Sequence, residues 1–134
     1  MRQPLIAYGL TALIFLVFDI VWLSTMVSSF YRPRMESLLL ERPNMPVAAA
    51  FYLIYVIGMV VFAVLPAVRA NDWTHAAWSG ALLGFVAYAT YDMTNLATML
   101  GFPSDVALVD IVWGTAVTAV SATLAAVATS RLAG

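Results

Sequence analysis

Four stretches of this chain run for about twenty residues each with almost no charge, and they decide what it can become. They extend from about 5 to 27, 47 to 65, 76 to 100 and 106 to 128. A helix of ~20 apolar residues spans the hydrocarbon core of a bilayer. The predicted fold is therefore all-α: an integral membrane four-helix bundle, in a single domain covering 1–134. The first stretch is longer than the ~7–15-residue core of a signal peptide and lacks a small-x-small cleavage site, so it reads as a retained helix.

The connections carry the polar residues and the prolines. They read "SSFYRPRMESLLLERPNMP", "PAVRANDWTH" and "GFPSD". Pro33, Pro43, Pro46, Pro66 and Pro103 fall in or beside them, where proline costs least. In the first connection Met35, Leu38, Leu39 and Leu40 sit among Arg34, Glu36, Glu41 and Arg42. That pattern predicts a short helix lying in the membrane interface. Orientation is weakly specified: Arg2, Arg69 and Arg131 fall on one face, Arg32, Arg34 and Arg42 on the other. The positive-inside rule has little to act on, and only the free amino group tips the termini towards the cytoplasm.

Absences narrow the chemistry. Only 10% of residues are charged and 63% are hydrophobic, whereas about a quarter are charged in soluble domains. With no cysteine and a single histidine, His75, the chain offers no thiolate, disulfide or multi-histidine metal set. The net charge of -1 gives no reason to expect nucleic acid, and no cofactor motif is present.

The informative residues are the acids inside the apolar runs. "YDMTNLATML" (91–100) and "FDIVWLSTMV" (18–27) share Asp, Leu, Thr and Met in register. The echo suggests a duplicated helical hairpin, runs one and two against three and four, with a pseudo-two-fold along the membrane normal. Chance similarity between apolar helices is the alternative. "DIVW" also occurs at both 19–22 and 110–113. Asp19 and Asp92 each lie about nine residues from the same end of their spans, ~13 Å deep at 1.5 Å per residue. Asp110 enters span four from that end, so all three acids belong to one half of the bilayer. Spacings of three place Asp19 with Trp22, Asp92 with Asn95, and Asp110 with Trp113 on common helix faces. Tyr88 and Tyr91 stand one turn away, and Tyr52 and Tyr55 enter span two from the same side.

A carboxylate deep in a bilayer costs on the order of 2.5–3.5 kcal/mol on insertion scales. Three of them are therefore expected to face the bundle interior and share partners among Asn95, Thr94, Thr98, the tyrosine hydroxyls and the indole N–H groups. Carboxyls crowded in a dry site repel one another when ionised, which favours a bound proton. The bland alternative is structural hydrogen bonding between helices. Trp73 and Trp78, at the other end, read as interfacial belt residues, and His75 beside them as a solvated one. Gly80 with Gly84, and Gly114, Thr118, Ala122 and Ala126, read as close-packing ridges.

An Asp-x-x-Trp followed by "FYR" (30–32), then "ATYDMTNLAT" (89–98) and "VDIVWGT" (109–115), resembles a family of small bacterial membrane proteins known as a domain of unknown function (number 2177). The resemblance covers nearly the whole chain, and Met93 stands where Leu is expected in its most specific block. It implies a four-span protein of the bacterial cytoplasmic membrane and brings no catalytic role with it.

Three functions fit these residues. In the first, Asp19, Asp92, Asp110 and Asn95 bind a proton, a hard cation such as Mg²⁺, Ca²⁺ or Mn²⁺, or an organic cation held by aromatic faces. Trp22, Tyr88, Tyr91 and Trp113 would wall the pocket. A transporter of this size is expected to act as a homodimer, with the small-residue ridges as interfaces. The second is an enzyme using paired acids on a lipid or isoprenoid. The third is an accessory subunit of a membrane complex with purely structural acids. The expected partners are membrane lipid and a small cation or amphipathic molecule.

Overall fold

The computed structural model describes residues 2–35 and 44–133, and among them it is helical with no strand. Helix α1, Arg2–Met26, continues through a π turn at Val27–Tyr31 into a last helical turn, Arg32–Met35. Helix α2 begins at Met45–Met59, passes through a π turn at Val60–Val64 and ends at Leu65–Ala70. Helix α3 is Trp73–Thr98, and α4 is Ser104–Ala133.

The two π turns have one cause. Each ends two residues before a proline, Pro33 or Pro66. A proline ring clashes with the carbonyl four residues back and lacks an N–H to bond it. Widening the preceding turn moves that carbonyl aside. The N–H of Arg32 then bonds Val27 O, and that of Leu65 bonds Val60 O, both five residues back. Sequence reading set Pro33 and Pro66 at helix ends; both instead lie inside continuing helices. The interfacial helix expected around Met35 to Arg42 falls largely on 36–43, outside the described residues.

Caps fix the other boundaries. Asn44 accepts the Val47 N–H at 3.3 Å, and Pro46 occupies the first turn of α2, where its missing donor is not needed. Asn71 takes the left-handed conformation at φ 54°, which closes α2. Asp72 then caps α3, accepting the Thr74 N–H at 3.1 Å. These Thr74 hydrogen bonds hold the Asp72 carboxyl below the usual carboxylate range. Gly101, at φ 74°, turns the chain between α3 and α4.

Helices α3 and α4 form the most extensively packed pair, and α4 also packs along α1. The latter half of α2 touches α1, α3 and α4, while its first half, Met45–Met59, lies against α1 and makes no extensive contact with α3. The main core joins Ala7, Phe15, Val56, Met59, Val64 and Val117. A smaller one joins Tyr31, Met35, Phe102, Val106 and Ala107 at one end. The outer faces stay apolar: Leu5, Ile54, Leu108 and Val112 are all exposed.

Among the described residues three helical stretches are long and apolar enough to cross a membrane: Arg2–Met26, Met45–Ala70 and Ser104–Ala133. Helix α3 has the length but also carries His75, Ser79, Thr90, Asp92, Thr94 and Asn95, which lower its hydropathy. The two predicted hairpins are not packed alike, since α3 and α4 meet far more extensively than α1 and α2.

The small-residue ridges are close-packing surfaces, as expected, but they pack within the chain rather than against a second copy. A Cβ on Gly80 would press on Ala119 and Ala122; one on Gly84 would collide with Gly114 O and Thr118. Gly114 lies under the Tyr88 ring, with no room for any side chain. These ridges join α3 to α4 within the chain, so they are not free to form a dimer interface.

Candidate functional site

The turn from Met99 to Pro103 folds α4 back along α3, and the two helices are in register. Asp92 lies six residues before the end of α3, and Asp110 six after the start of α4. The fold therefore brings their carboxyls together: Asp110 is within hydrogen-bond reach of Asp92. Asp92 has no solvent exposure, and among the described residues neither of its oxygens finds a conventional donor. With both acids ionised nothing bonds Asp92; with one proton between them, the pair is joined directly.

Helix α1 supplies the rest. The Trp22 and Trp113 rings stack at 4.1 Å and 8°. Beyond them the π turn carries Tyr31 back over α4. Its hydroxyl accepts from Trp22 Nε1 at 3.0 Å and donates to Asp110 Oδ1 at 3.0 Å. One turn later Arg34 Nε donates to Asp105 Oδ2 at 2.6 Å, with its guanidinium 4.0 Å over the Phe30 ring. The Arg34 hydrogen bond holds the exposed Asp105 carboxyl below the usual range. Tyr31 was not among the residues singled out from the sequence. "FYR" was visible as a motif, but nothing in the spacing tied a residue beyond span one to an acid on span four.

Asp19 stands apart. It is close enough to Asp110 for their charges to interact, yet among the described residues no three acidic, histidine or cysteine side chains are placed to hold a metal ion. The contacts 22–113, 31–110 and 34–105 run antiparallel. Asp19 lies one turn to one side of the tryptophan stack and Asp110 one turn to the other. Two offsets of three residues separate them by ~9 Å along the axis. The shared level expected for three acids is thus a level for two.

The remaining residues sort as follows. Tyr88 lies over Gly114 and meets Tyr55 edge-on at 6.1 Å; Tyr55 in turn pairs with Thr118 Oγ1 at 2.8 Å. Tyr52 donates to the Ala12 carbonyl. Tyr91 is exposed and sets its edge against Phe102, with Asn95 beside its hydroxyl rather than at the acids. Thr94 and Thr98 bond carbonyls of their own helix and give the acids nothing. Trp113 Nε1 is buried and has no partner among the described residues. Trp73 and Trp78 are exposed at the other end, and His75 meets Trp78 edge-on. A cleft of about 420 Å³ opens beside the acid pair, lined by Phe51, Ala87, Tyr88, Tyr91 and Asp110.

No curated protein and no solved structure matches the chain. The model of one family, described as a predicted membrane protein (DUF2177), matches residues 4–127, and the chain belongs to that family.

Proposed function

We propose that the chain is a four-span membrane bundle in which α3 also crosses the bilayer, and that Asp92 and Asp110 hold a single proton that an organic cation displaces. One observation carries this reading: Asp92 is fully buried with both oxygens unpartnered among the described residues, while its neighbour Asp110 accepts from Tyr31 and faces an aromatic cleft. Asp110 thus has the donor that supports a charge, and Asp92, lacking one, carries the proton and donates it to Asp110. A carboxylate at the wall of a cleft with Phe51, Tyr88 and Tyr91 suits a cation held by charge and by ring faces. Arrival of that cation removes the reason to keep the proton, so binding and proton release are coupled, as a transporter exchanging one for the other requires. A bacterial cytoplasmic membrane is the proposed location, and a homodimer the proposed assembly.

The test uses the purified protein in lipid nanodiscs. Infrared spectroscopy should show a protonated-carboxyl band near neutral pH that disappears in Asp92→Asn, while the variant still assembles because its shape is kept. An unchanged spectrum in Asp92→Asn removes the reading and leaves the acids a structural role.

A further inference from the structure

The cleft beside the acid pair opens to the side of the molecule. Its outer wall is Phe51 on α2 and Tyr91 on α3, each 56% exposed; its inner wall is Tyr88, Ala87 and Asp110. It exists because the first half of α2 stands away from α3, whereas the half beyond the π turn packs against it. On the α2 side Val47 and Ile54, one turn either way from Phe51, are exposed and apolar; on the α3 side Thr94 and Asn95 follow Tyr91 by one turn. Asp110 lies six residues into α4 from Ser104, ~9 Å along the helix, so a molecule entering sideways meets the acid below the level of the helix ends.

We infer that this cleft admits a single-chain amphipathic amine sideways from the surrounding lipid, with the cationic head at Asp110 and the chain along Phe51 and Tyr91. The inference deepens the proton–cation reading and rests on it. Several features select that occupant. Its volume is in the range of small-molecule pockets, ~300–1,000 Å³. An outer wall made of the Phe51 and Tyr91 rings and reached from lipid disfavours a hydrophilic cation, which has no low-energy path through hydrocarbon. A carboxylate at the inner end excludes an anionic amphiphile. The fully buried, unpartnered Asp92 directly behind Asp110 supplies the proton that the head displaces. A head without a chain would leave the ring faces of Phe51 and Tyr91 uncovered, so chain length should matter as much as charge.

Full-length protein in zwitterionic nanodiscs is titrated with decyltrimethylammonium, tetramethylammonium and decyl sulfate, each below micelle formation, with thermal unfolding as the readout. Decyltrimethylammonium should bind about tenfold more tightly than tetramethylammonium, and decyl sulfate should not stabilise the protein. Asp110→Asn should weaken the decyl cation by about tenfold or more, as expected when one member of a buried charge contact is removed. Phe51→Ala, at an exposed position that leaves the fold intact, should erase the advantage of the chain, whereas Leu108→Ala on the open face of α4 should not. Equal stabilisation by decyl sulfate, indifference to chain length, or an unaffected Asp110→Asn overturns the inference. The infrared band of Asp92, read on the same samples, separates the two levels. If the band is present but chain length has no effect, lateral amphiphile binding is wrong and the proton site stands. If the band is absent, both are overturned.

Discussion

Helices α3 and α4 meet twice, and the two meetings are built on opposite principles. Towards one end Gly80 and Gly84 sit against Ala119, Ala122, Gly114 and Thr118, with no polar contact required. Eight residues beyond Gly84, the same two helices bring Asp92 against Asp110, a contact that two carboxyls would not make unaided. The first meeting makes the second affordable. Close packing over glycine fixes the helix separation through many small dispersion contacts, and the rigid rods carry that separation on to the acids. Stability and chemistry thus occupy adjacent lengths of one interface.

The largest effect should come from breaking the glycine seam. Gly84→Val places a side chain where Gly114 O and Thr118 already lie, and overpacking of this kind costs about 3 kcal/mol. Gly9 meets nothing within 4 Å, so Gly9→Ala should be neutral or slightly stabilising, since alanine is the better helix former. Both are measured as shifts in the unfolding midpoint in denaturing detergent. Because α3 and α4 would be pushed apart, Gly84→Val should also lose the infrared signature of the acid pair, although Asp92 is untouched. A Gly84→Val protein that is destabilised yet keeps that signature would show the two meetings to be independent.

A smaller effect separates the hydroxyls of the two regions. Tyr31→Phe strands both the Trp22 N–H and Asp110 Oδ1, its two partners. An unsatisfied buried group costs ~1–3 kcal/mol, with charged groups at the upper end, so about 2 kcal/mol is expected. Tyr55→Phe removes a bond to Thr118, but a threonine on a helix can turn to a carbonyl of its own preceding turn. Its cost should stay below about 1 kcal/mol. Equal costs would mean that the acid end is no more dependent on its donors than the packed end.

What the sequence revealed follows the same division. Helix existence was legible, because long uncharged runs need no knowledge of neighbours: the stretches 5–27 and 106–128 lie almost wholly within helical residues. The pairing of Asp92 with Asp110 was nearly legible too, since a five-residue turn leaves little choice of register. Facing was not. In a chain whose outer surface is as apolar as its core, the 3.6-residue pattern that marks a buried face fades. Hence spacing alone groups Asn95 with the acids and sets Asp19 at their level, and it marks the glycine ridge as a packing surface without saying whether the partner is α4 or a second copy. Tyr31 was missed because its position depends on the π turn before Pro33, where a proline that signals a helix end instead re-aims one. The "DIVW" repeat is plain in the sequence, but its consequence, a Trp22–Trp113 stack between antiparallel helices, depends on the register of α1 on α4.

The smallest effect concerns the strap that keeps Tyr31 over the acids. Arg34 and Asp105 are both exposed, and exposed ion pairs add little stability and are screened by salt. Because the Arg34 hydrogen bond lowers the Asp105 carboxyl from 3.8, the pair is fully formed above that pH and is lost as pH falls through the lower, folded value. Asp105→Asn should therefore differ slightly from the parent protein by a constant amount between about pH 5 and 8. The difference should shrink below about 3.8 and disappear in high salt. Emission from Trp22, whose N–H bonds Tyr31, is the sensitive readout, because loosening of Arg34 one turn away frees Tyr31 before it unfolds anything. If acid or salt moved the unfolding midpoint as far as Gly84→Val does, the strap would be part of the structural seam, and the line drawn between the packed end and the chemical end would have to be moved.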